Sequence, residues 1–351
     1  MILFQCDYNE GAHPKVMQRL LETNMEQTPG YGEDVYCRNA ADKIRKACGD
    51  ESLAVHFLVG GTQTNMTVID AALRSHQGVI CADTGHINVH ETGAVESCGH
   101  KVLALPGKDG KLCAAQVEEA YLAHARNESF EHMVQPKMVY LSNPTELGTI
   151  YHREELRKLY ETCQKYGLYL FMDGARLGYG LAASDNDLTL ADIARYTDVF
   201  YIGGTKVGAL FGEAVVIGND ALKEDFRYLI KQKGGMLAKG RLLGIQFDTL
   251  FTDDLYGEIS ARAVALADKL RTAMAERGFE LVAPNHTNQI FAVMPDALLD
   301  ELRANFGFSY DRRADAGHSI VRFCTSWATR EEDVDALIAA FWEYGCGVLE
   351  G

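Results

Sequence analysis

The sequence predicts an α/β protein. A large domain, residues 1–250, with an N-terminal arm and a mostly parallel sheet covered by helices, would precede a smaller C-terminal α/β domain, residues 251–351. Three observations carry this expectation. Short β-rich runs alternate with amphipathic stretches, the pattern of a sheet whose crossovers are helices. The length of 351 residues accommodates about two domains at roughly 150 residues each. Beyond Asp220 the texture changes, from regular alternation to a basic, glycine-interrupted stretch and one long helical pattern.

The strand candidates are, in order, Leu53–Val59, Gly78–Cys81, Lys101–Leu105, Lys137–Leu141, Leu168–Met172, Val199–Ile202 and Ala214–Ile217. One covering helix is plain at Arg153–Tyr166, where Leu156, Leu159, Tyr160, Cys163 and Tyr166 recur every three or four residues and Gly167 is placed to end it. After the basic stretch around Lys231–Arg241, a helix is expected from about Tyr256 to Arg277, then strands at Gln289–Val293 and Ser319–Cys324. A closing helix opens on the capping-box sequence Thr329-Arg-Glu-Glu332 and aligns Val334, Leu337, Ile338 and Phe341 on one face.

Composition excludes several function classes. Lys and Arg number 34 against 49 Asp and Glu, a formal charge of −15, with no basic block to bind a nucleic acid or an anionic membrane against that field. A small anion is still permitted, because backbone N–H groups and a hydroxyl can hold a phosphate locally. The nine cysteines form an odd count without a C-x-x-C pair, so they read as reduced thiols rather than a disulfide framework or a zinc ribbon, and no metal site is expected. No apolar run approaches a membrane span and no basic leader precedes an apolar segment, so a cytoplasmic protein is expected.

Three short motifs could carry chemistry. Gly60-Gly61-Thr62-Gln63-Thr64-Asn65 follows a strand and opens a helix, a geometry that can cradle a phosphate, without the spacing of a dinucleotide fingerprint or a P-loop. Asp173-Gly174-Ala175-Arg176 puts an acid at the C-terminal end of a buried strand, where open α/β sheets bind ligands. Lys206 follows the strand Val199–Ile202 in a small-residue context, Gly203-Gly204-Thr205-Lys206, where its amine is either solvated or desolvated enough to form a Schiff base. Each motif alone has a structural explanation: a tight turn, a capping aspartate, a surface lysine. Together and in this order they match what pyridoxal phosphate requires: an anion site, an acid for the ring nitrogen and an amine for the aldehyde.

The sequence resembles the threonine aldolase and β-eliminating lyase family of pyridoxal-phosphate enzymes, which have the aspartate-aminotransferase fold (fold type I). The resemblance is carried by Gly32-Glu-Asp-Val-Tyr36, Phe57-Leu-Val-Gly-Gly-Thr-Gln-Thr-Asn65, Gly85-His86, Asp173-Gly-Ala-Arg176, Gly204-Thr-Lys206 and Val321-Arg322, in family order over nearly the whole chain. It implies that Lys206 holds the cofactor as a Schiff base, Asp173 pairs with the ring nitrogen, Gly61 and Thr62 hold the phosphate, and His86 stacks on the ring. It also implies that Arg176 and Arg322 lie near the ring oxygen and the substrate carboxylate. Tyr36 would reach the cofactor of a neighbouring subunit, in a homo-oligomer, dimer or tetramer, with shared sites.

The activity implied is cleavage of the Cα–Cβ bond of a β-hydroxy-α-amino acid, such as L-threonine or L-allo-threonine, to glycine and acetaldehyde. Alternatives are β-elimination from another amino acid, against which the lack of a second Lys beside Lys206 speaks, and a non-catalytic binding module. Two departures from the family stand out. Glu146, in Asn143-Pro-Thr-Glu146, occupies a loop position where many members have a histidine, and so becomes a candidate for holding the substrate hydroxyl or acting as base, beside His86. Leu237 follows Gly234-Gly235-Met236 where an arginine is common, so Lys239 or Arg241 would have to supply phosphate-directed charge.

Overall fold

The structure, a computed structural model, describes residues 1–343; Cys346 lies outside the described residues. Two helices, α1 (Pro14–Glu22) and α2 (Val35–Cys48), precede a seven-stranded sheet. Its strands are β1 (Ala54–Leu58), β2 (Gln77–Ala82), β3 (Lys101–Leu105), β4 (Gln135–Ser142), β5 (Tyr169–Asp173), β6 (Val199–Gly203) and β7 (Glu213–Ile217), in spatial order β1-β7-β6-β5-β4-β2-β3. All pairings are parallel except those of β7, which runs antiparallel to both β1 and β6. The central strands read as nearly unbroken apolar runs because helices cover both faces. α3 (Gly61–Ala72) follows β1, and α4 (Arg153–Tyr166) ends at Gly167, whose φ of 64° takes the left-handed cap that a side chain would strain.

Alternation sends successive side chains to opposite faces. Val139, Leu141, Leu170, Met172, Phe200, Ile202 and Val216 enter one apolar cluster, while Met138, Tyr140, Phe171, Val199, Tyr201 and Val215 enter the other, with Val68 and Ile69 of α3. By the same period Asp173 follows Phe171, and Glu213 precedes Val215, onto the α3 face. That face carries the polar groups described below.

The second unit is a four-stranded antiparallel sheet, with β8 (Glu280–Leu281), β9 (Gln289–Pro295), β10 (Ser309–Arg313) and β11 (His318–Cys324) in the order β10-β11-β9-β8. The long α5 (Leu255–Glu276) joins the units: Tyr256, Ile259 and Ala263 pack in the large cluster, while Leu266, Leu270 and Met274 pack in the small one with α6 (Glu331–Glu343). The chain start is part of this unit. Ile2–Leu3 pairs in parallel with Phe306–Gly307, and Phe4, 1% exposed, lies in the C-terminal cluster. The described residues contain no helix long and apolar enough to cross a membrane.

Candidate active site

At the C-terminal ends of β4, β5 and β6 lies a cavity of about 320 Å³ lined by residues of the α3 turn, the loops after β2 and β4, and the segment after β6. Asp173, the last residue of β5, is 5% exposed and meets four donors. The Tyr201 hydroxyl and the Ala175 N–H (3.0 Å) donate to Oδ1, and the Tyr140 hydroxyl (2.6 Å) and Asn65 Nδ2 (3.2 Å) donate to Oδ2. Burial, and after it the Asp173 charge, push both phenols well above the ordinary tyrosine value, so they remain protonated donors. Gly174 is required here, since a Cβ would stand 2.0 Å from the Tyr201 carbonyl.

Gly61 and Thr62 open α3 on the same cavity. Gly60, the N-cap, offers no side chain, so the first helical N–H groups face the cavity uncapped, at the positive end of the helix dipole. A Cβ on Gly61 would come within 3.1 Å of the Tyr201 hydroxyl that serves Asp173, which ties this glycine to close approach. Lys206 stands across the cavity, its carbonyl accepting from the Tyr179 hydroxyl at 2.6 Å. Burial, and then the Arg176 charge, lower its amine below the ordinary lysine value. Glu213, at the head of β7, also lines the cavity; its Oε2 accepts the Gly204 N–H at 3.2 Å, and burial pushes its carboxyl up.

The loop after β4 brings Glu146 to the wall. Its Oε1 accepts the Ser142 hydroxyl at 2.6 Å and the His86 N–H at 2.9 Å, and burial raises its carboxyl above the usual range. The His86 ring is held through Nδ1 by Glu91 Oε1 at 2.8 Å, and the same oxygen accepts Asn65 Nδ2 at 2.8 Å. Burial opposes the imidazolium, but the hydrogen bond to Glu91 and the charges of Asp173 and Glu91 outweigh it and raise the His86 pKa. Asn65 thus donates to both Glu91 and Asp173, connecting His86 to the strand-end acid through the Glu91 carboxylate and its own amide.

Arg176 lines the cavity and forms a side-on pair with Asp7, Nε to Oδ2 at 2.7 Å and Nη2 to Oδ1 at 3.0 Å. Of the residues singled out in the sequence, Gly61, Thr62, His86, Glu146, Asp173, Arg176 and Lys206 share this cavity. Arg322 and Tyr36 are not on its wall. Arg322, on β11, donates to Gln289 Oε1 (3.1 Å), the Gln5 carbonyl (2.8 Å) and Ser309 Oγ (3.4 Å). Tyr36 hydrogen-bonds Glu26, with the Arg19 and Arg241 guanidiniums 5.5 and 5.3 Å from its ring centroid. Arg241 also donates to the Thr23 and Glu26 carbonyls, so in this chain it serves the N-terminal arm rather than the α3 turn.

Sequence reasoning missed Asp7, Glu91, Tyr140, Tyr201 and Glu213, and gave Asn65, which it met only as the end of the Gly60–Asn65 motif, no role. For two of them a signal existed: Tyr140 is a phenol inside an aliphatic strand, and Glu213 is a charge heading one.

The sequence model of the beta-eliminating lyase family matches residues 6–297. A low specificity L-threonine aldolase from Pseudomonas is 33% identical over 341 residues, 96% of each chain. One from Saccharomyces cerevisiae is 26% identical, covering 92% of this chain and 83% of its own. The solved structure of Leishmania major threonine aldolase superposes with a TM-score of 0.95 at 45% identity, over 98% of this chain and 99% of that one. Thermus thermophilus aspartate aminotransferase shares the fold, at a TM-score of 0.72 and 15% identity over 98% and 91% of the two chains. A match over residues 6–297, which takes in the whole seven-stranded sheet, together with a relative 33% identical over 96% of each chain, makes this chain a member of the beta-eliminating lyase family.

Proposed function

We propose that this protein is a pyridoxal-phosphate-dependent aldolase that cleaves a β-hydroxy-α-amino acid of the threonine type to glycine and an aldehyde. The observation that carries the reading is one cavity holding a strand-end carboxylate with four donors, an amine of lowered pKa and an uncapped helix N-terminus. This donor set fits the cofactor. Gly61 and Thr62 would hold its phosphate, Lys206 its aldehyde, Asp173 its ring nitrogen, with His86 against the ring. When bound, it supplies an electron sink for the pair released as the Cα–Cβ bond breaks.

The chain's own residues do the rest. Asp173 keeps the ring nitrogen protonated, and the four donors hold it in place for that task. Arg176, on the cavity wall, takes the substrate carboxylate; Arg322, held off that wall by Gln289, the Gln5 carbonyl and Ser309, would have to leave these acceptors to join it. Glu146, fixed by Ser142 and the His86 N–H, accepts the β-hydroxyl proton; its raised pKa makes it a stronger base than an exposed carboxylate. His86, inclined to the imidazolium by Glu91, steadies the hydroxyl oxygen. Incubation with L-threonine should yield glycine and acetaldehyde; pyruvate and ammonia from an eliminable amino acid, with no glycine from threonine, would overturn the reading.

Glu146→Gln should lower kcat about 10²-fold. Because a base must be unprotonated, wild-type activity should fall as pH drops through the raised Glu146 value, and this acid limb should vanish in the variant. A limb that survives in Glu146→Gln would assign the proton to His86.

We place the protein in the cytoplasm, as a homo-oligomer whose sites are completed by Tyr36 of the partner subunit, with a domain boundary near residue 250 that the first strand, Ile2–Leu3, crosses to join the C-terminal unit. The eight free thiols among the described residues suit a reducing compartment. Met17 and Leu21 of α1 and nearby Met25, 48%, 78% and 88% exposed, offer an apolar surface to a second copy. Mixing inactive Lys206→Ala chains with inactive Tyr36→Ala chains should restore part of the activity, because a hybrid contains one site with both residues. Subunit exchange without recovery would confine Tyr36 to its own chain.

A further inference from the structure

Residues 2–8 form a strap that touches both units. Its first part is laced to the small sheet: Phe4 N–H donates to the Gly307 carbonyl (2.7 Å), the Cys324 N–H to the Phe4 carbonyl (2.8 Å), and the Gln5 carbonyl accepts Ser309 Oγ (2.9 Å) and Arg322 Nη2 (2.8 Å). Two residues on, Asp7 is wholly buried (0% exposed) and pairs side-on with Arg176. Asn288 Nδ2 donates to Asp7 Oδ2 at 2.9 Å and to the Thr325 carbonyl at 2.8 Å, so the carboxylate is fixed from a third direction. Tyr8 then reaches the cavity wall.

The pairing has a geometric consequence. A guanidinium is planar with five N–H donors, and two bonds through Nε and Nη2 fix its plane and orientation. The Nη1 end stays available to the cavity that Arg176 lines. Asp7 is also a full negative charge beside the site. Burial pushes its pKa up, but Arg176 and Lys206 outweigh that and hold it below the usual aspartate range, so it is ionised at neutral pH. Asp7 therefore subtracts attraction for an incoming carboxylate while it orients the group that receives one, and the two effects have opposite signs.

We propose that Asp7 is a positioning residue for carboxylate recognition: it fixes the Arg176 plane so that the free Nη1 end meets the substrate carboxylate, and the strap makes this alignment depend on the docked small sheet, which also carries Arg322. The inference rests on the aldolase reading, and the opposite signs make it testable. In Asp7→Asn the charge is lost and the amide NH₂ confronts a guanidinium N–H, so the fork no longer closes. A merely charge-balancing Asp7 would give tighter carboxylate binding in that variant; a positioning Asp7 gives weaker binding.

The test is an absorbance titration of the cofactor-loaded wild type and Asp7→Asn with glycine and with ethylamine, which lacks the carboxylate. Glycine affinity should fall about 10-fold or more in the variant while ethylamine affinity stays within about twofold, and KM for threonine should rise more than kcat falls. Asp7→Glu, which keeps the buried ion pair but displaces the guanidinium, should weaken glycine in the same direction and serves if Asp7→Asn does not fold. Unchanged or tighter glycine binding in the variant that folds, or an equal loss for ethylamine, would overturn the inference alone. A loaded wild type that responds to ethylamine but not glycine, or a protein that takes up no cofactor, would overturn the aldolase reading and the inference with it.

Discussion

Lys206→Ala is expected to abolish turnover, by more than about 10⁴-fold, while leaving the fold intact. The side chain stands on a cavity wall rather than in either apolar cluster of the large sheet, so its removal takes an amine from the site without emptying a core position. Burial and Arg176 lower its pKa, which keeps a larger share of the amine unprotonated at neutral pH than free lysine would have, and only that form attacks an aldehyde. The variant should show the same cooperative unfolding as the wild type but lack the visible absorption that a lysine-held aldehyde cofactor gives, and borohydride should fix no cofactor to the chain. Turnover near the wild-type level would end the assignment of Lys206 as the cofactor lysine.

The fold was legible wherever burial imposes a pattern. Five strands of the large sheet, β2 and β4 to β7, stand out because two covered faces demand continuous apolar runs, half-buried β1 and edge strand β3 because they keep short apolar runs, and α4 because one covered face demands the three-and-four spacing. What burial does not impose was invisible. Edge strand β10 is mostly exposed and polar, β8 and the Ile2–Leu3 strand are two residues each, and the antiparallel direction of β7 is set by its short connection to β6, which no hydrophobic pattern records. The Thr329 capping box shows the local limit: the closing helix starts at Glu331, and the Thr329 hydroxyl accepts the Ser326 N–H.

The candidate site divides in the same way. Asp173, Lys206 and the Gly60–Thr62 turn could be found because each sits just after a strand, at the sheet edge where ligands collect. The roles of Asp7 and Asn65 could not, because they lie in pairings across long stretches of chain: Asp7 and Arg176 are 169 residues apart, Asn65 and Asp173 108. Glu91 is only five residues from His86, but that pairing depends on how the short helix after Gly85 turns, which no pattern records. Arg176 itself was singled out without the partner that orients it. Glu146 was visible only as a departure, and the structure supplies what the sequence lacked, namely the two donors that hold one of its oxygens.

Asp173→Asn is expected to retain the cofactor but lose about 10²-fold or more in kcat, a few kcal/mol of barrier. An amide cannot carry the charge that keeps the ring nitrogen protonated, so the loss falls on the chemical step rather than on binding. The surrounding donors sharpen the expectation. Tyr140, Tyr201, Asn65 and the Ala175 N–H all point at the carboxylate, and an asparagine NH₂ must confront either the Tyr201 and Ala175 donors or the Tyr140 and Asn65 donors. Two buried donors are then left unmatched at about 1–3 kcal/mol each, so Asp173→Asn should also unfold at a lower temperature than the wild type. Tyr140→Phe and Tyr201→Phe separate the two effects. Each removes one donor and leaves the charge, so each should cost far less kcat than Asp173→Asn. A kcat for Asp173→Asn within a few-fold of wild type, or tyrosine variants as damaged as it is, would place the catalytic contribution in the phenol network instead of the carboxylate.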